Sequence, residues 1–159
     1  MNCKDLLQHG YRYAYSLTHT AHDAEDLVQE AWVKLMSARG HVDSKSLLFV
    51  TIRNLYIDQY RRNNIIVFDS MENIQEPAAE EKTARSFELH RDLNHAFQQL
   101  RMEESEAIFL NVVMGYSAEE IAKLTKKSRN TVLSLISRGK KKLADYLRTK
   151  DTTSKNALL

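Results

Sequence analysis

Four glycines and a single proline in 159 residues leave little material for the turns that an all-β chain needs about every eight to twelve residues. The apolar residues recur instead at steps of three and four, the spacing of one face of an α-helix. The chain is therefore read as all-α, with helices joined by short polar connections. An apolar content of 43% is enough to bury real cores. A first helix is predicted over about Cys3 to Thr18, on Leu6, Leu7, Tyr11, Ala14 and Leu17. Thr18-His19-Thr20 is a polar break. Asp23 reads as the N-cap of a second helix with the stripe Ala24, Leu27, Val28, Ala31 and Leu35, ending near Ser37 ahead of Gly40. A loop over 38–45 precedes a third helix running to about Arg62. On it Leu48, Phe49, Ile52, Leu55, Tyr56 and Tyr60 share one sector, with Asn54, Asp58 and Arg61 opposite.

The pattern then changes. Between Asp69 and Asp92 seven acids stand against three cations, periodicity weakens, and the only proline appears. This reads as a flexible acidic linker. The expected organisation is two small helical domains, 1–64 and 89–148, joined by a linker at 65–88 and followed by a polar tail at 149–159 that frays. Leu89, Leu93, Ala96, Phe97 and Leu100 mark a fourth helix. Ala107, Ile108, Leu110 and Met114 mark a fifth, stopped by Gly115. Ser117-Ala118-Glu119-Glu120 is a capping box opening a short sixth helix. Ser128 caps a last long helix with the inner stripe Val132, Ile136, Leu143 and Leu147.

The net charge is only +2, but it is unevenly spread. Ile121 to Lys150 holds ten Lys and Arg against the single acid Asp145, a balance that suits a polyanionic partner. Two helices joined by three residues have helix-turn-helix spacing, which places the second helix in the major groove. Its outer side carries Asn130, Ser134, Ser137, Arg138 and Lys141. Lys140, Lys141 and Lys142 are candidates for phosphate contacts. On the third helix Arg53, Asn54, Arg61 and Arg62 mix cations with an amide. Tyr56 and Tyr60 are read as core residues with a wet hydroxyl rather than as a base-stacking platform.

No catalytic constellation competes. His19, His22, Asp23 and Asp26 straddle a helix break with no cysteine nearby, so no metal site is expected. Glu25 and Glu30 lack the pocket an acid–base pair needs. There is no phosphate-binding glycine loop and no nucleophile motif, so neither an enzyme activity nor a cofactor is expected. Cys3 is the lone cysteine, which excludes an internal disulfide. With no signal-peptide core and no long apolar run, a cytoplasmic protein without membrane insertion is expected.

Two stretches carry a resemblance. Asp23-Ala24-Glu25-Asp26-Leu27-Val28-Gln29-Glu30-Ala31-Trp32, followed by Ser46 through Arg62, resembles region 2 of extracytoplasmic-function (ECF) sigma factors. Tyr116-Ser117-Ala118-Glu119-Glu120-Ile121-Ala122, with Asn130-Thr131-Val132-Leu133-Ser134 and Ser137 through Leu143, resembles their region 4. The resemblance implies a transcription initiation factor. Asp23, Asp26, Gln29 and Glu30 would dock on the clamp helices of the RNA polymerase β′ subunit. Gly40, His41, Val42, Asp43, Arg53, Asn54, Arg61 and Arg62 would capture the −10 element. Lys127, Ser128, Arg129, Asn130, Thr131, Ser134, Arg138 and Lys141 would read the −35 element, and region 4 would also grip the β flap. The partners implied are core RNA polymerase, promoter DNA and an anti-sigma factor. Three positions depart from the pattern: Leu133 and Leu135 stand where the family often has basic residues, and Arg101 stands where a proline is usual. Both leucines are expected to widen the buried face, the alternatives being thymine contact and an anti-sigma patch. The rival functions are a helix-turn-helix regulator that needs no polymerase and a sigma mimic that binds an anti-sigma factor without initiating transcription. A metal-dependent hydrolase is a distant third.

Overall fold

A computed structural model describes residues 2–66 and 84–157 and falls into two units, Met1–Pro77 and Ala78–Leu159. The described residues are mostly helical, and none of them lies in a strand.

The first unit packs three helices: α1 (Cys3–Thr18), α2 (Ala21–Arg39) and α3 (Lys45–Ile66). Asn2 starts α1, its side chain accepting the Asp5 N–H at 2.9 Å. His19 ends it in the left-handed region at φ 57°, its N–H donating to the Tyr15 carbonyl. The core is the meeting of three stripes: Leu6, Tyr13, Ala14 and Leu17; Ala24, Leu27, Val28, Ala31 and Leu35; and Leu48, Phe49, Ile52 and Leu55. Tyr13 and Phe49 stack with centroids 4.5 Å apart. Gly10 lets α1 and α3 approach, since a Cβ there would sit 3.0 Å from Leu48 Cδ2.

The N-cap of α2 is Thr20, not the expected Asp23. Asp23 lies inside the first turn and accepts the Thr20 hydroxyl at 2.7 Å. A carboxylate is favoured there by the helix dipole without being the capping residue. Gly40 closes α2 at φ +77°, a conformation that other residues rarely adopt.

The second unit contains α4 (Ala84–Gln98), α5 (Met102–Ile108), a π-turn at Phe109–Val113, α6 (Ala118–Thr125) and α7 (Arg129–Ala157). Leu100, Ala107, Ile108, Phe109, Leu110, Ile121, Val132, Leu135 and Ile136 make its core. After the π-turn, Tyr116 N–H donates to the Leu110 carbonyl, Asn111 Nδ2 donates to the Tyr116 carbonyl at 2.9 Å, and Gly115 turns at φ +73°. The capping box is present in both directions: Ser117 Oγ accepts from Glu120 N–H, and Glu120 Oε2 accepts from Ser117 N–H.

Two boundaries differ from expectation. The predicted linker 65–88 is helical at both ends, because α3 reaches Ile66 and α4 begins at Ala84; residues 67–83 lie outside the described residues. The predicted tail is also helix, since α7 continues to Ala157. Lys150 pairs with Asp92 of α4, and the hydroxyls of Thr149, Thr152 and Thr153 each donate to the carbonyl four residues back.

Candidate nucleic-acid interface

Helix α6, a left-handed turn at Lys126 (φ 55°) and helix α7 form the helix-turn-helix. The turn is fixed by Lys127 N–H donating to the Ala122 carbonyl. Ser128 then starts α7, its Oγ accepting the Thr131 N–H at 3.1 Å and its carbonyl the Val132 N–H. Val132 faces the core at 0% exposure, and Gly139 lies so close to α5 that an added Cβ would meet Ile108 Cδ1 at 2.4 Å. That packing turns Ser128, Arg129, Asn130, Thr131, Ser134, Ser137, Arg138 and Lys141 outward, and all are exposed.

The basic charge is only partly available. Lys127 pairs with Glu103 at 3.2 Å, Arg129 with Glu119 at 3.1 Å and Lys142 with Glu104 at 2.8 Å. Lys142 is thus engaged by a carboxylate that is 1% exposed, which withdraws it from the expected phosphate-contacting set. Lys123, Lys126, Arg138, Lys140, Lys141 and Arg148 are exposed, and they carry the electrostatic footprint. The two unusual leucines part company: Leu135 is 4% exposed and Leu133 41%. The expectation that both widen the core therefore holds for Leu135 and fails for Leu133, which lies on the other flank of the buried stripe.

In the first unit the acidic residues of α2 share one exposed face. Asp23, Asp26, Gln29 and Glu30 all face solvent. His22 Nε2 lies 3.4 Å from Asp26 Oδ2, and Gln59 Nε2 donates to Glu30 Oε2 at 3.0 Å, which ties α3 to this face. Val33 and Met36 continue it, at 63% and 41% exposure. Sequence reasoning missed them, although Val33 falls about 180° from Ala24 on the helical wheel, opposite the core stripe.

The loop after α2 exposes Gly40, His41 and Asp43 and half-buries Val42. His41 Nδ1 lies 3.0 Å from the Arg39 carbonyl and its Nε2 3.5 Å from Asp43 Oδ2. Ser44 fastens the loop to α3, its Oγ accepting the Leu47 N–H at 3.2 Å. Asn54, Arg61 and Arg62 are exposed, and Asn54, Asp58 and Arg61 form one row on α3. Arg53 is different: at 9% exposure it belongs to the interior of the domain, so this face does not present it. Tyr60 is also not the core residue expected. It is 56% exposed and stacks on half-buried Tyr56 at 6.3 Å. No described α3 residue beyond Leu55 is buried, so the apolar sector outlasts the core that would cover it. His19, His22, Asp23 and Asp26 form no metal-ligating group, and none occurs among the described residues.

The second unit is thus a helix-turn-helix with a polar, cationic outer face, and the same chain carries a three-helix unit with an exposed acidic face. The comparisons are more specific. Residues 4–65 match the family model Sigma-70 region 2, and residues 90–143 match Sigma-70, region 4. The ECF RNA polymerase sigma factor SigE of Mycolicibacterium smegmatis is 32% identical over 145 residues, covering 86% of this chain and 56% of that protein. The chain thus spans little more than half of that relative's length. RNA polymerase sigma factor CarQ of Myxococcus xanthus is 30% identical over 129 residues, covering 78% of this chain and 74% of that protein. Among solved structures, the sigma factor RpoE of Bartonella quintana, in complex with the anti-sigma factor NepR, matches with a TM-score of 0.70 and 25% identity. That match covers 91% of this chain and 93% of RpoE. The chain belongs to the sigma-70 family of RNA polymerase sigma factors, in its ECF group.

Proposed function

We propose that this chain binds core RNA polymerase, recognises −10 and −35 promoter elements, and directs transcription initiation in the cytoplasm. The observation that carries the reading is the outward polar face of α7, held by the capped α6–α7 turn. A helix presented this way enters the major groove, with Arg and Asn reaching base edges and the lysines holding phosphates. The first unit supplies the other half. The α2 face of Asp23, Asp26, Gln29, Glu30, Val33 and Met36 docks on the β′ clamp helices, where apolar anchors within a charged rim give both affinity and orientation. The 40–43 loop with Asn54, Arg61 and Arg62 takes the −10 bases, since an exposed amide both donates to and accepts from a base edge. The second unit also contacts the β flap, and the acidic connection within residues 65–88 spans the two. An anti-sigma factor is the regulator proposed, by likeness to RpoE, whose solved structure contains one.

The test is run-off transcription by core polymerase with a promoter library, with and without the purified chain. Transcripts starting from a shared sequence pattern only in its presence support initiation. Tight duplex binding without polymerase, or polymerase binding without transcripts, would point instead to a simple regulator or a sigma mimic.

A further inference from the structure

The exposed leucine on α7 has a chemical consequence for the DNA sequence this helix selects. Every other groove-facing position proposed above is polar: Arg129, Asn130, Ser134, Ser137, Arg138 and Lys141. Leu133 sits among them, between Arg129 and Ser137 in the row of residues spaced by four. It is the one large exposed hydrophobic residue of α7 among the described residues. Val132, Leu135, Ile136 and Gly139 define the buried direction, and Leu133 lies about 100° from Val132, on the flank nearest Arg129. On that flank Arg129 Nε is held by Glu119 at 3.1 Å, which limits how far the arginine can fold over its neighbour. An isolated exposed leucine is ordinary on a protein surface. Its place within a base-reading row is what makes this one informative. A leucine side chain can neither donate nor accept a hydrogen bond. In the major groove the complementary group is the C5 methyl of thymine, the apolar feature of the base-pair edges.

We infer that Leu133 packs on a thymine methyl in the −35 element and makes this chain select thymine at one position there. The inference rests on the reading of the second unit as a duplex reader. It assigns a specificity-determining contact to a residue where the family often carries a cation.

The test uses the full chain with core polymerase. A promoter library is selected first, and each thymine of the enriched −35 segment is then replaced by deoxyuridine, which removes only the methyl group. The expected result is one position at which deoxyuridine lowers affinity about fourfold, the worth of one methyl group removed from water. At that position 5-methylcytosine should bind better than cytosine. In Leu133→Ala and Leu133→Ser the thymine–deoxyuridine difference should vanish, while thermal stability and the salt dependence of binding stay close to wild type, because the residue is exposed and touches no phosphate. Leu135→Ala is the counter-control: it should lower stability and keep the methyl preference. A flat deoxyuridine scan with wild type, or the same penalty in Leu133→Ala, overturns the inference and leaves the sigma reading intact. Failure of the chain and polymerase to enrich any upstream sequence overturns both.

Discussion

Glu104 is the most demanding electrostatic feature of the second unit, and it predicts a large effect from a change made at the surface. Its carboxylate is 1% exposed. Oε1 receives the Lys142 ammonium at 2.8 Å, and Oε2 has no hydrogen-bond partner among the described residues. At an effective dielectric of about 20 the gross attraction at that separation is roughly 6 kcal/mol, most of it offset by desolvation of the two ions. Replacing Lys142 by methionine keeps the stem and removes the charge, leaving a buried carboxylate with neither oxygen paired. The Lys142 side chain is 45% exposed, so water reaches the same opening and softens the loss. The expected cost is about 2–3 kcal/mol, below the 3–5 typical of a fully enclosed pair. For a unit of this size that lowers Tm by roughly 10–20 °C. Glu104→Met should cost less than about 1 kcal/mol, because it removes the buried charge and leaves the half-exposed lysine hydrated. The double variant should resemble Glu104→Met alone, giving a coupling of about 2 kcal/mol in the double-mutant cycle. Calorimetry of the full chain, with hydrogen exchange at the α5 and α7 amides to localise the change, measures it. A loss under about 0.5 kcal/mol in Lys142→Met, or additive single effects, would refute the claim that this pair stabilises the unit.

Three further outcomes follow from the structure. Charge reversal at Asp26 or Glu30 should weaken binding to core polymerase about tenfold, equivalent to roughly 1.4 kcal/mol, with helicity unchanged; full affinity in both variants would remove α2 from the docking surface. Asn54→Ala should slow open-complex formation by roughly 1–3 kcal/mol and relax selection at one −10 position, whereas an equal loss on every −10 variant would mean a backbone or folding role. Burial holds the His19 imidazole below its ordinary value of 6.5, so the folded state resists protonating it. Its contribution to stability is present above pH 6.5 and is lost as pH falls through the lowered folded value. His19→Asn, which tolerates the same left-handed backbone, should flatten that acid limb in pH-dependent melts of the full chain, and an unchanged limb would show that other groups set it.

The sequence by itself determined the helices and the two-part organisation. Helical period, capping chemistry and glycine stops are local properties, readable within a few residues. Hence the Ser117–Glu120 capping box, the Ser128 cap and the stops at Gly40 and Gly115 all appear where they were expected. The acidic face of α2 and the outer face of α7 were legible for the same reason, since a polar residue opposite an apolar stripe has only solvent to face. What the tertiary structure decided was the fate of residues on the flanks of those stripes, where helical periodicity is silent about how far the neighbouring helices extend. Leu133 and Leu135 have the same side chain two positions apart, yet the packing of the second unit buries one and leaves the other exposed. Tyr60 continues an apolar sector beyond the last covered turn of α3, and Arg53 is drawn into the interior of its domain. Charge counting fails for a related reason. It treats Lys127, Arg129, Lys142 and Lys150 as available cations, and only packing brings each of them to an acid of a different helix or turn.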